Sequence, residues 1–110
     1  MRGGGQPNLQ QLMKQAQQMQ QQLATAQAEL AEAEVTGSAG GGLVRVVVTG
    51  AGDVRGITIA PEVVDPADVE TLEDLILAAL HQAAAAAKQL TDEKMAPLQA
   101  GIGGLGLPGM

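Results

Sequence analysis

Phenylalanine, tyrosine and tryptophan are all missing from this chain of 110 residues. Its core must therefore be assembled from Val, Ile, Leu, Met and Ala. Each of these buries less area than an aromatic ring, and a small domain already buries a low fraction of its surface. Self-association is the usual remedy. Cysteine is absent too, which excludes a disulfide framework and any thiolate metal site and suits the cytoplasm. No run of about 18 apolar residues occurs, so a membrane partner is not expected. The opening MRGGGQPN has no apolar signal-like stretch, and a soluble, non-secreted protein is expected. Basic residues are scarce: 6 Lys and Arg stand against 12 Asp and Glu, for a net charge of −6.

Against these absences, one stretch is dense in signal: Gly40 to Asp65, GGGLVRVVVTGAGDVRGITIAPEVVD. Val44, Val46, Val47, Val48, Thr49, Val54, Ile57, Thr58 and Ile59 are β-branched and favour extended backbone. Gly50-Ala51-Gly52 between them predicts a β-hairpin with a three-residue loop and Gly52 left-handed. In that register Thr49 faces Asp53, Val47 faces Arg55 and Arg45 faces Ile57. Arg45 and Arg55 then become diagonal neighbours on one face. A two- or four-residue loop sends them to opposite faces, and solubility alone accounts for two strand arginines equally well. Glu34 to Ala39 predicts a third, antiparallel strand joined by the Gly40-Gly41-Gly42 turn. No Gly-Lys-Ser/Thr follows those glycines and a strand comes next, which rules out a phosphate-binding loop.

Helices flank the strands. From an N-cap at Asn8, Leu9, Leu12, Ala16, Met19, Leu23, Ala26, Leu30 and Ala33 recur at alternating spacings of 3 and 4, a heptad seam with Gln at most outer positions. A helix of this length spans roughly 39 Å, against about 20 Å for a six-residue strand. It overhangs the sheet and needs another helix for its seam. Asp65 before Pro66 predicts an N-cap for a second helix, and Val69, Leu72, Ile76, Ala79, Ala83, Ala86 and Leu90 form its seam. That helix is expected to end near Lys94 or Met95, before Pro97. The expected organisation is a disordered arm (1–7), an α-β-β-β-α domain of the α+β class with a three-stranded antiparallel sheet (8–96), and a glycine-rich flexible tail (97–110). Leu12, Met19, Leu23, Leu30, Leu72 and Ile76 are candidates for helix packing and a dimer contact.

The glycine hairpin, followed by LEDLILAALHQAAAAAK, EKM and the closing LGLPGM, resembles the YbaB/EbfC family over nearly the whole chain. The resemblance implies a homodimer with long helices projecting like tweezers. It also implies a bacterial, nucleoid-associated DNA-binding protein without enzymatic activity. Family genes often neighbour recombination-repair genes, so repair proteins are implied as further partners.

Charge is unevenly distributed along the chain. Residues 1–28 carry Arg2 and Lys14 and no acid, whereas residues 62–74 carry Glu62, Asp65, Asp68, Glu70, Glu73 and Asp74 and no base. DNA affinity rests on neutralising phosphates, so the candidates for double-stranded DNA are Arg2, Lys14, Arg45, Arg55, Lys88 and Lys94. Gln side chains of the first helix can add hydrogen bonds. Such binding should be weak, salt-sensitive and nearly indifferent to sequence. The competing reading is a protein-interaction module that docks a recombination or replication partner through its helical seam or apolar tail. An enzyme is not expected: His81 stands alone, and the acids lack the spacing and central glycine of a calcium loop. No metal, cofactor or small-molecule substrate is implied.

Overall fold

The structure is a computed structural model that describes residues 5–104, with side chains over 8–99. Helix α1 (Gly5–Glu32) leads into strands β1 (Glu34–Ala39), β2 (Val44–Thr49) and β3 (Val54–Ile59), then a 3-10 turn (Pro61–Val63) and helix α2 (Val69–Gly104). The strands form one antiparallel sheet in the order β1-β2-β3. The expected α+β class and element order are therefore observed.

Alternation along the strands makes the core. Val44, Val46 and Val48 point to one face and are buried against Ala79, Ala83 and Ala87 of α2. Val35, Leu72, Leu75, Ile76 and Leu80 close around them. The small alanines let α2 approach very near. At Gly37 of β1 an added Cβ would run into the Ala79 carbonyl oxygen and the Ala83 nitrogen, so the helix backbone rests on the strand itself. Helix α2 lies over β1 and β2 and leaves β3 largely uncovered.

The hairpin follows its expected register only at the tip. Thr49 N–H donates to the Asp53 carbonyl (2.8 Å) and Gly52 N–H to the Thr49 carbonyl (2.9 Å). Gly52 has φ 96°, as a three-residue loop requires. Beyond the tip, Val48 faces Val54 but Val47 faces Gly56, which leaves Arg55 as an extra residue in a β-bulge. Arg45 consequently faces Thr58 rather than Ile57, and the expected diagonal pairing of Arg45 with Arg55 does not form.

Both helices differ from expectation at their ends. Helix α1 begins at Gly5, so Asn8 is internal rather than the cap. Helix α2 begins after Asp68, not Asp65: Asp68 Oδ1 accepts from Thr71 N–H (3.3 Å) and Oδ2 from the Thr71 hydroxyl (2.6 Å). Asp65 instead closes the preceding turn, accepting from Ala67 N–H at 2.9 Å. At the other end α2 continues through Pro97 to Gly104. Proline removes one backbone hydrogen bond of the helix, yet the helix continues past it alongside α1, where Leu98 and Gln99 stand opposite Met19 and Leu23. Residues 1–4 of the expected arm and 105–110 of the expected tail lie outside the described residues.

The overhanging seam of α1 meets α2 of the same chain. Leu30 and Ala26 are buried, and Met19 and Leu23 face Met95 and Leu98. Where this helix pair leaves the sheet, the hairpin tip is wedged between the helices. Gly50 N–H donates to the Ala33 carbonyl (2.9 Å), and Thr91 Oγ1 donates to the Gly50 carbonyl (3.0 Å). A Cβ on Gly50 would stand 2.8 Å from Leu30 Cδ2. At 36 residues α2 is about 54 Å long, so its distal half and α1 project as an antiparallel arm.

Candidate nucleic-acid interface

The bulge and the helix pair decide where positive charge falls. Arg55, displaced from the ladder, reaches the C-terminal turn of α1 and donates from Nη2 to the Ala31 carbonyl (3.1 Å). Lys94 pairs with Glu29 across the arm (3.0 Å), and Lys88 pairs with Asp92 one turn along α2 (3.1 Å). Both pairs are solvent-exposed, and such pairs contribute about 0–1 kcal/mol, so either lysine can exchange its carboxylate for a phosphate at small cost. Lys14 lies further out on α1, exposed and without a salt bridge among the described residues. Arg2 lies outside the described residues.

Arg45 is placed apart from these. It projects from the sheet face opposite α2, with Nε 3.4 Å from the Gly42 carbonyl, at the Gly40–Leu43 end of the sheet. The same end receives the start of α2: Leu75 closes over Gly40, and Ala60 N–H donates to the Leu43 carbonyl (2.8 Å). The six acids between Glu62 and Asp74 thus gather at the Arg45 end of the sheet. Sequence alone grouped Arg45 with Arg55; the fold sets them at opposite ends.

Among the helix-packing candidates, Leu30 is buried, and Leu72 and Ile76 pack on the sheet core. Met19 and Leu23 line the inner arm, whereas Leu12 faces solvent. On another side of the arm an open cleft of about 770 Å³ is lined by Gln18, Gln21, Gln22, Thr25, Glu29 and Lys94. Its amides and hydroxyl both donate and accept hydrogen bonds.

One surface escaped the sequence reading. Between β3 and α2 runs a largely apolar groove of about 500 Å³, lined by Val48, Val54, Leu77, Leu80, His81 and Ala84 among others. Beside it Val54 is 53% exposed, Ile57 47% and Leu77 53%. Among the described residues the outer edge of β3 is unpaired. The only trace in the sequence is the alanine run 83–87, whose short side chains hold α2 close to β1 and cannot reach across to β3. Among the described residues no group of three or more His, Asp or Glu converges as for a metal, and no helix is long and apolar enough to cross a membrane.

The fold is a three-stranded sheet backed by one helix, with a helix pair projecting from its hairpin end and Arg55, Lys88 and Lys94 at that end. The chain belongs to the YbaB/EbfC DNA-binding family, whose model matches residues 5–102. It is 58% identical to a nucleoid-associated protein of Saccharopolyspora erythraea over the full length of both chains. It is 57% identical to one of Rhodococcus opacus, covering 100% of this chain and 97% of the relative. A Streptomyces avermitilis nucleoid-associated protein is 56% identical over 98% of this chain and 96% of its own. Among solved structures, an uncharacterised Helicobacter pylori protein shares the fold at TM-score 0.65 and 22% identity, covering 88% of this chain and 96% of its own.

Proposed function

We propose that this protein binds double-stranded DNA weakly and without sequence preference as a nucleoid-associated homodimer in the bacterial cytoplasm. In that capacity it contributes to chromosome organisation, gene regulation or DNA repair. The observation that carries the reading is the match to the DNA-binding family over residues 5–102, together with an outer α1 that holds Lys14 and no acid from Gly5 to Gln27. Arg55, Lys88 and Lys94 stand at the base of the arm beside Glu29, Glu32, Asp92 and Glu93, while the six acids from Glu62 to Asp74 occupy the far end of the sheet. The net charge of −6 thus leaves the outer arm as the acid-free surface for phosphate. The open edge of β3, with Val54, Ile57 and Leu77 exposed beside it, supports pairing with a second copy, which doubles every phosphate contact.

A mobility-shift titration across salt concentrations tests this. The slope of log K against log salt is about −0.9 per phosphate contact, so a dimer with about four to six contacts gives roughly −4 to −5. The apolar groove beside β3 supports a second reading, an interaction module that docks a recombination or replication protein. That reading takes over if no duplex binds at low salt.

A further inference from the structure

The outer third of α1 has no partner in its own chain among the described residues. Lys94 pairs with Glu29 across the arm, and Gly104, the described end of α2, lies ten residues further on, level with about Met19 of α1. Leu9, Leu12 and Met13 therefore lie beyond the described end of α2. Leu9 and Leu12 are 58% exposed and Met13 59%. Leu9 and Leu12 continue the stripe on which, closer to the sheet, Met19 and Leu23 face Met95 and Leu98, and Met13 flanks it. A helical segment this short is held by packing on an apolar face more than by propensity.

We infer that Leu9, Leu12 and Met13 form a contact surface for the α1 tip of a second copy of this chain. Charge selects that occupant. From Gly5 to Gln27 the helix carries one charged residue, Lys14, among glutamines. It offers nothing to a highly charged partner and opposes its own copy with a single like charge at an outer position. Continuity is the second argument, since the stripe already packs helix against antiparallel helix along the inner arm. The alternative occupant within the chain is the segment LGLPGM at 105–110. That segment brings only Leu105, Leu107 and Met110, interrupted by Gly106, Pro108 and Gly109, whereas a second α1 brings Leu9, Leu12 and Met13 from one helix.

The absence of native cysteine makes the test clean. Leu12→Cys and, separately, Met13→Cys are oxidised at micromolar concentration without DNA, beside Gln11→Cys as a control pointing away from the stripe. The expected result is disulfide-linked pairs of chains at least fivefold more abundant for Leu12→Cys and Met13→Cys than for the control. Equal yields overturn the inference. A disulfide within one chain in a Leu12→Cys, Leu107→Cys double variant overturns it in favour of the tail. DNA takes no part in the assay, so failure of the DNA reading leaves the result intact. Repeating it with Leu77→Asp separates tip pairing, expected to persist, from pairing along β3.

Discussion

The two ends of this molecule are built on opposite terms. At the sheet end, glycine and alanine admit close approach, three valines are buried, and backbone meets backbone at Gly37. At the arm end, glutamines surround a stripe of long, flexible side chains, and Leu9, Leu12 and Met13 remain exposed. The first arrangement fixes shape and the second leaves surface for partners. Six acids, from Glu62 to Asp74, lie at the sheet end and the other six lie around the base of the arm, so only the outer part of α1, with Lys14, is free of acid.

The largest expected break in this contrast is Gly37→Ala. The new methyl group meets the backbone of α2, which cannot rotate away, and overpacking of this kind costs about 3 kcal/mol. A thermal melt by circular dichroism should fall by about 4–8 °C for each kcal/mol. Gly41→Ala is the informative control: nothing lies within 4 Å, and only its φ of 69° opposes a side chain, for roughly 1–2 kcal/mol. Comparable in size, Leu30→Ala at the buried base of the arm should cost about 2–5 kcal/mol. Leu23→Ala, exposed further out, should cost distinctly less in the same melts. Equal losses would mean that the arm is as tightly packed as the base.

Smaller effects probe the junction. Thr91→Val removes the hydrogen bond to the Gly50 carbonyl, and a loss of about 1 kcal/mol is expected. Amide exchange beyond residue 91 should quicken more than exchange in the sheet. Smaller still, Asp92→Asn breaks an exposed pair within α2 and should shift stability by about 0.5 kcal/mol or less. A larger drop would show that Lys88 is held in place rather than free to meet phosphate.

Most of the fold was readable because its signals are local. β-Branched runs and glycine turns marked all three strands, and alternating spacings of 3 and 4 marked both helices. Three features were not, and each depends on long-range packing. The bulge at Arg55 is a one-residue adjustment of the β3 ladder that no periodicity announces. The passage of α2 through Pro97 occurs where α2 runs alongside α1. The groove beside β3 exists because α2 sits over the other two strands. The same features redistribute the DNA-binding candidates. Sequence treated Arg45 and Arg55 as a pair, but the bulge hands Arg55 to the arm, while Arg45 shares its end of the sheet with the acidic start of α2.

A charge-reversal comparison in the mobility-shift assay tests most directly whether the arm end, rather than the sheet, engages DNA. Lys14→Glu and Arg45→Glu change the formal charge equally, and both sites are exposed enough to leave the fold intact. Lys14→Glu is expected to weaken binding to all duplexes alike and to make the salt slope shallower by about 1 per protomer. Arg45→Glu is expected to do markedly less. If Arg45→Glu weakens binding as much as Lys14→Glu or more, DNA lies across the sheet and the arm-end account is contradicted.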